Sequence, residues 1–515
     1  MSSSTPIPGA PPPGYDGPRR CLIFPGGGMR TAYQAGAARA LIESGLVFTH
    51  MDGTSGGGIN LAMLLSGLTP AEMAARWSSL PIRDFVSFLP LTDYLKSPQW
   101  PALGSHRGVV EKVFPHLGIN LDQVRRAQGV EAVFNVLNFS RKTVKTLPSR
   151  DLTLEMLLAG MSLPIAMPAI EHDGEWYCDP AFIRDANPLD AIRRGAGELW
   201  ILWVIGNTPE YRNGAFHQYV HMLETAANGS LFSDLDRIAE WNERIARGET
   251  VWGHTRPIRV HVIRPPRALP LDSDLYLGRT DTATLVEQGY RDAKQYMNTM
   301  DPQGTPLTPD ATRMPAEQLG YTFREMMQGP FAMGPTEPEA GAAEGSRLRT
   351  QFTMRATITI HDLDRFLNTP EHPGDLVGTI DFPPLGTALP STRGVFNLFL
   401  PGNDPSLKLM VYELGFESGG QPYYMAGKKL VRQHSVLDLW KDTTTLYTRL
   451  HQGTDPSGPV VGAGILSLSL PELLKMIPTM RATNARSPKE GLEAAARFGR
   501  FFLGELWETY VKKGS

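Results

Sequence analysis

The chain has 515 residues, enough for two or more domains of ordinary size. Its 50 lysines and arginines against 53 aspartates and glutamates give a formal net charge of -3, which argues against nucleic acid as a partner. Cys21 and Cys178 are the only cysteines, so there is no disulfide framework, and a structural zinc site would lack its usual sulfur ligands.

The first 19 residues are rich in Ser, Pro and Gly and have neither the apolar core nor the basic start of a signal peptide, which predicts a flexible tail. No apolar run reaches the roughly 18 residues that a membrane-spanning helix needs. The expectation is a soluble, cytoplasmic protein that meets lipid from the aqueous side.

Two strand-turn-helix units open the ordered chain. Residues 21–24 form an apolar strand, three glycines follow, and the helical spacing of residues 30–44 ends at Gly45. A second extended segment runs to Gly53, and residues 59–65 are typical of a buried helix. Further extended segments alternate with helical stretches, at residues 130–138, 199–205 and 258–263. This alternation predicts a mostly parallel sheet covered by helices on both faces, in a domain spanning residues 20–300.

Beyond residue 300 the composition shifts to Pro, Gly, Thr and Met, which predicts a linker or lid over residues 301–345. Residues 352–360 then alternate strictly between apolar and polar, as in a strand with one wet face. Similar runs, separated by glycine-containing turns, occupy residues 395–400, 408–416 and 460–470. Residues 346–515 are therefore expected to form a β-rich, sandwich-like domain with closing helices near 470–480 and 489–510.

The sequence Gly-Thr-Ser-Gly-Gly at residues 53–57 falls where the second strand turns into a helix. A serine hydroxyl is a poor nucleophile unless a tight turn presents it, a base takes its proton and donors stabilise the oxyanion. The glycines permit such a turn, and the helix that follows directs free N–H groups toward negative charge. Ser55 is the candidate nucleophile. The alternative is a glycine-rich turn that only packs helix against sheet.

Gly26, Gly27 and Gly28 precede the first helix in the same way. Successive glycines before a helix allow several backbone N–H groups to converge on an anion, as in an oxyanion hole. A nucleotide-binding loop is the competing interpretation. It is disfavoured because the Lys-Ser/Thr end of a phosphate-binding loop is missing and because Thr31 stands where a dinucleotide motif needs its third glycine.

The candidate base is Asp179, which follows a short hairpin turned at Asp173-Gly174. A carboxylate held at the edge of the sheet with a raised pKa could accept the serine proton. Asp179 is preferred over Asp185, although a turn or helix-capping role for Asp179 is the alternative. A Ser-His-Asp triad through His50, His172 or His361 is disfavoured because Ser55 follows only the second strand.

These motifs resemble the signatures of the patatin-like phospholipases, in order: Gly-Gly-Gly-x-Arg ending at Arg30, Gly-x-Ser-x-Gly around Ser55, and a later Asp signature at Asp179. The resemblance extends over about residues 20–300. It implies a three-layer α/β/α fold and a Ser55–Asp179 dyad that hydrolyses fatty acyl esters through an acyl-enzyme, without cofactor or metal. It also implies oxyanion donors, supported by Arg30: the N–H groups of Gly26, Gly27, Gly28 and Gly56.

One departure bears on activity. The family's Asp-Gly-Gly/Ala appears here as Asp179-Pro180-Ala181, and proline fixes φ and removes an N–H. The resemblance further implies a lipid or fatty acyl ester substrate and peripheral contact with membranes. The oligomeric state is left open.

In the C-terminal part, three segments are similar to a β-rich module that accompanies some bacterial sterol-oxidase-like flavoenzymes: residues 396–399, 427–429 and 439–446. The similarity suggests substrate presentation or membrane docking. The sequence as a whole predicts a lipid acyl hydrolase of phospholipase A or carboxylester hydrolase type. An acyltransferase or thioesterase with the same dyad, and a lipid-binding regulatory protein with a weakened dyad, remain the alternatives.

Overall fold

The computed structural model describes residues 6–82, 102–276, 280–402, 407–432 and 439–510. The chain divides into two compact units, Met1–Ala316 and Glu317–Ser515. Among the described residues, none of the helices combines the length and the hydropathy that a bilayer-crossing segment requires.

The first unit is organised around one 8-stranded sheet. Its strands are β1 (Arg20–Phe24), β2 (His50–Thr54), β3 (Glu131–Asn138), β4 (Thr143–Pro148), β5 (Ile170–His172), β6 (Glu175–Cys178), β7 (Glu198–Leu202) and β8 (Arg259–Ile263). Their order is β5-β6-β3-β2-β1-β7-β8, with β4 paired to β3. The five strands β3, β2, β1, β7 and β8 run parallel, whereas β4 and β6 are antiparallel to β3. The mostly parallel sheet predicted from the sequence is confirmed.

Helices cover both faces of this sheet. They are α1 (Thr31–Glu43), α2 (Gly57–Leu65), α3 (Pro70–Ser78), α4 (Phe114–Leu117), α5 (Leu121–Arg126), α6 (Leu154–Gly160), α7 (Pro188–Arg193), α8 (Ala215–Ala246), α9 (Asp272–Tyr276) and α10 (Thr282–Thr299). Alternate residues of β1 face two separate cores: Leu22 packs with α1 to α3 and α10, and Ile23 packs with α7 and α8. The result is the three-layer α/β/α arrangement that the resemblance implied.

The described part of the predicted tail packs against the first unit. Ile7 is buried in the core that contains α1, and the carbonyl of Gly9 accepts a hydrogen bond from the N–H of Phe48. Residues 1–5 lie outside the described residues. These contacts place residues 7 and 9 against the first unit. The flexible tail over residues 1–19 stays a prediction.

The second unit contains a 9-stranded antiparallel sheet. Its strands are β9 (Gly320–Met333), β10 (Gln351–Ile360), β11 (Pro373–Phe382), β12 (Gly386–Pro401), β13 (Leu407–Ser418), β14 (Gln421–Arg432), β15 (Thr445–Gln452), β16 (Val460–Ser467) and β17 (Arg481–Thr483). Neighbours pair in chain order from β9 to β16, and β16 pairs back to β9, so the sheet closes on itself. The prediction of a β-rich domain is confirmed. The domain contains a single closed sheet, whereas the sequence predicted two sheets packed on each other.

Helices accompany this sheet: α11 (Pro338–Leu348), α12 (Leu363–Asn368), α13 (Leu439–Thr444), α14 (Leu470–Met476) and α15 (Pro488–Tyr510). Phe498 of α15 is buried and stacks on Tyr321 of β9. The closing helices expected near residues 470–480 and 489–510 correspond to α14 and α15.

The stretch expected to be a linker or lid, residues 301–345, is divided between the two units. Met314 is buried and donates its N–H to the carbonyl of Asn207 in the first unit. Residues 320–333 form β9, which pairs along both edges. The prediction missed β9 because its Gly329-Pro330 pair resembles loop composition, although Phe323, Met327 and Phe331 share one face at the period of a strand.

Candidate active site

Ser55 lies between the end of β2 and the start of α2. Its φ is 51°, in the left-handed region that few residues other than glycine adopt. The turn brings α2 very close to the end of β1: a Cβ on Gly57 would lie 2.2 Å from the carbonyl oxygen of Phe24. Glycine at position 57 is therefore required for this elbow, which presents the serine hydroxyl on a strained turn.

Asp179 is in contact with this serine. The Ser55 hydroxyl donates a hydrogen bond to Asp179 Oδ2 at 2.5 Å, and Asp179 is only 1% exposed. The backbone holds the carboxyl in place, because the N–H of Asp179 donates to the carbonyl of Ser162 at 3.0 Å and the N–H of Ala181 donates to Asp179 Oδ1 at 2.9 Å. A residue 124 positions away in the chain is thus fixed against the candidate nucleophile.

Pro180 does not disturb this geometry. It occupies the first position of a short 3₁₀ turn, Pro180–Phe182, for which Asp179 is the N-cap. The first residue of such a turn has no intrahelical acceptor for its N–H, so the missing donor of proline costs nothing there. The departure from the family's Asp-Gly-Gly pattern leaves the Asp179 carboxyl positioned.

Burial raises the pKa of Asp179 to about 7, and the hydrogen bonds from Ser55 and Ala181 partly oppose the rise. A carboxyl group that titrates near neutrality is a stronger proton acceptor than a solvated aspartate. It remains ionised in part at pH 7 and can accept the proton of a hydroxyl to which it is already hydrogen-bonded.

The glycine loop lies beside the elbow. Gly27 has a φ of 150°, and a Cβ there would lie 2.4 Å from a methyl carbon of Val204. The carbonyl of Gly27 accepts bonds from the Nε and the N–H of Arg30, at 3.2 and 3.1 Å. Because this carbonyl and the N–H of Gly28 belong to one peptide and point in opposite directions, Arg30 fixes the direction of the Gly28 N–H.

Within the described residues, the N–H groups of Gly27, Gly28 and Gly56 have no hydrogen-bond acceptor. They are therefore available to an anion. The N–H of Gly26, which was also predicted to donate to the oxyanion, instead donates to the carbonyl of Asp185 at 3.3 Å. The structure thus corrects the predicted donor set by removing Gly26.

A second buried carboxyl, Asp185, flanks the site. A Cβ on Gly26 would lie 2.3 Å from Asp185 Oδ1 and 2.9 Å from the Cβ of Ser55, so the aspartate and the serine touch the same face of that glycine. Asp185 Oδ2 has no partner among the described residues. Burial and the neighbouring charge of Asp179 raise the pKa of Asp185 to about 8, against the opposing charge of Arg30.

Sequence reasoning missed Asp272, the first residue of α9. Its Oδ1 accepts the N–H of Met29 at 3.0 Å, and a Cβ on Gly28 would lie 2.4 Å from its Oδ2. Burial raises its pKa. Asp272 anchors the end of the glycine loop from 243 positions away. No local motif marks it, and only the tertiary fold brings it there.

The histidines weighed for a triad lie elsewhere. His50 begins β2, at the opposite end of the strand from Ser55, and its ring contacts the carbonyl of Arg194 at 3.1 Å. His172 lies on the β5–β6 hairpin, and His361 lies in the second unit. None of these three rings contacts the serine. Across the part of the chain that the structure describes, no group of three His, Cys, Asp or Glu side chains is arranged to hold a metal ion.

A serine on a strand-to-helix elbow, a buried carboxyl bonded to it and adjacent uncommitted N–H groups are typical of acyl-transferring serine enzymes. Residues 22–192 match the family model described as Patatin-like phospholipase. The matched region runs from β1 into α7 and contains the elbow, the glycine loop and Asp179. The resemblance predicted from the motifs is confirmed, and it supports lipid hydrolase activity in general terms.

Among solved structures, the chain is similar to VipD from Legionella pneumophila, with 11% identity over 56% of this chain and 67% of that chain. The TM-score is 0.29, which is too low to support an argument from that structure. No curated protein matches the chain significantly.

Proposed function

We propose that this protein is a lipid acyl hydrolase, of phospholipase A or carboxylester hydrolase type, in which Ser55 is the nucleophile and Asp179 the general base. The observation that carries the proposal is the 2.5 Å hydrogen bond from Ser55 to a buried carboxyl whose pKa lies at about 7. The family match over residues 22–192 supports a lipid ester as the substrate.

In the proposed reaction, Asp179 takes the proton from Ser55 Oγ as that oxygen attacks the ester carbonyl carbon. The N–H groups of Gly27, Gly28 and Gly56 stabilise the negative oxygen that develops. The intermediate collapses, the carbon–oxygen bond to the leaving alcohol breaks, and Asp179 returns the proton to that alcohol. An acyl group is then esterified to Ser55.

Water completes the cycle. It attacks the acyl carbon, gives its proton to Asp179 and forms a second oxyanion at the same N–H groups. The bond to Ser55 Oγ then breaks, the serine regains its proton from Asp179, and the fatty acid leaves. An acyltransferase or thioesterase would share the acyl-enzyme and differ in the acceptor or in the leaving group. A regulatory protein with a weakened dyad is disfavoured, because Pro180 leaves Asp179 in place.

A fluorophosphonate probe tests the nucleophile. We expect the wild-type protein to be labelled, the Ser55→Ala variant to lose labelling, and the exposed-surface control Ser79→Ala to retain it. Labelling that persists in Ser55→Ala would overturn the assignment.

Product analysis tests the reaction. Wild-type protein that has not been treated with the probe should release fatty acid from a phospholipid or a fatty acyl ester. Addition of an alcohol acceptor should leave free fatty acid as the main product, whereas a transferase would form a new ester. Transfer as the main reaction would refute the hydrolase. So would the absence of fatty acyl ester turnover by untreated protein from a preparation whose Ser55 reacts fully with the probe.

A further inference from the structure

Large apolar side chains are exposed around the candidate active site. Leu103 is 56% exposed, Ile165 54% and Ile183 41%. Exposed apolar residues are common singly, but a group of them beside one site indicates a surface that something else covers.

Backbone hydrogen bonds tie these residues to the site. The N–H of Leu103 donates to the carbonyl of Ile165 at 2.8 Å. Ile165 lies three positions after Ser162, whose carbonyl holds Asp179. Ile183 donates its N–H to the carbonyl of Pro180, next to the same aspartate. Ile165 and Ile183 therefore belong to the segments that position the candidate base, and Leu103 is hydrogen-bonded to one of these segments.

Ile165 is strained as well as exposed. Its φ is 74°, in the left-handed region that is unfavourable for a β-branched residue. An isoleucine that is mostly in solvent gains little from burial in return. Folding alone does not account for this residue, since glycine or asparagine would adopt the turn with less strain.

The edge of the sheet where the parallel strands end also carries exposed aromatic rings and a lysine. Phe139 is 49% exposed and follows the end of β3, which runs parallel to β2. The Nζ of Lys142 lies 3.0 Å from the centre of its ring. Trp176, 46% exposed, accepts the N–H of Phe139 on its carbonyl at 2.8 Å. Aromatic rings with adjacent lysines are the side chains favoured where membrane meets water.

We propose that these residues form a lipid-docking surface, the apolar rim, which seats the protein on a lipid interface so that an acyl ester reaches Ser55. The apolar rim consists of Leu103, Phe139, Ile165, Trp176 and Ile183. The proposal rests on the proposed function, in which the lipid that binds to this surface also supplies the substrate. A protein partner seated there would instead cover the approach to Ser55.

The test uses flotation with vesicles of phosphatidylcholine and phosphatidylserine. All proteins carry Ser55→Ala, so that binding is measured without hydrolysis and independently of whether the dyad is active. In this background, Ile165→Asn should weaken vesicle binding about tenfold, because the asparagine has no apolar side chain to bury in the lipid. Asparagine tolerates a positive φ, so the thermal unfolding midpoint should not fall.

Trp252→Asn is the matched control. Trp252 also combines a positive φ, 51°, with 53% exposure, but it lies on the turn before β8, at the edge where the parallel strands begin. Its replacement should leave vesicle binding unchanged. Phe139→Ser is a second variant at the apolar rim and should weaken binding in the same direction as Ile165→Asn.

The proposal is overturned if the Ser55→Ala parent does not bind vesicles. It is also overturned if Ile165→Asn and Phe139→Ser bind as tightly as the parent, or if Trp252→Asn weakens binding equally. If the wild-type protein hydrolyses no ester while the rim variants still lose vesicle binding, the proposed function fails and the docking surface stands.

Discussion

The pH dependence of hydrolysis provides the sharpest test of the candidate base. In the proposed mechanism, only the ionised form of Asp179 accepts the serine proton, and burial raises its pKa to about 7. The ionised fraction is then about one-tenth at pH 6 and about one-hundredth at pH 5. Values of kcat/KM for a water-soluble ester should therefore rise about tenfold per pH unit and level off above about pH 7.

Asp185 offers a discriminating comparison, because burial and the Asp179 charge raise its pKa to about 8. Because the Asp179 charge contributes to that rise, Asp179 ionises first and Asp185 second. The pH dependence of the rate therefore reports the first of these two ionisations. Asp179→Asn should abolish the rise with pH and lower the plateau roughly 100- to 10,000-fold. Asp185→Asn should leave the midpoint near pH 7.

The assay is initial-rate hydrolysis of a short-chain ester from pH 5 to pH 9, with each variant checked for folding at each pH. Asp173→Asn serves as the control, because its carboxyl is 91% exposed on the β5–β6 hairpin and should not affect the profile. A midpoint that moves in Asp185→Asn and persists in Asp179→Asn would refute the choice of base.

Arg30→Lys removes the Nε donor that holds the Gly27 carbonyl, so kcat should fall roughly tenfold or more in steady-state assays while Ser55 labelling persists. The folded-state pKa of Asp185 is above its unfolded value, so its contribution to stability is complete below about pH 4 and is lost as pH rises to about 8. Asp185→Asn should therefore raise the unfolding midpoint more at pH 8 than at pH 5, relative to wild type. In the second unit, Lys429→Met would remove the 2.7 Å ion-pair partner of the buried Glu325, which should cost about 3–5 kcal/mol in urea unfolding, and adding Glu325→Leu should recover most of that loss.

The sequence indicated the parts of the candidate site that are local in the chain. Ser55 and the glycines at 26–28 each lie in one short turn between a strand and a helix, where a few consecutive residues dictate the backbone. The alternation of strands and helices likewise specifies a parallel sheet with two covered faces. Local rules sufficed because the positive φ values of Ser55 and Gly27 belong to these short turns.

The remaining features depend on contacts between distant residues. Asp272 has no motif around it, and the carbonyl that accepts the N–H of Gly26 belongs to Asp185, far along the chain. Closure of the second sheet depends on the pairing of β16 with β9. The alternating pattern of those strands is the same whether a sheet closes or packs against another, so sequence periodicity could not distinguish the two.

Burial of Asp179 explains how a serine–carboxyl pair could operate without histidine. A solvated aspartate with a pKa near 3.8 would bind the serine proton weakly. Raising that pKa to about 7 makes the proton transfer from Ser55 about 4 kcal/mol less unfavourable. The same desolvation destabilises the folded protein when Asp179 is ionised, and the hydrogen bonds from Ser55 and Ala181 partly offset it. In the proposed mechanism, burial of Asp179 thus lowers the stability of the native state near neutral pH. The same burial makes the carboxylate a base strong enough to accept a proton from serine.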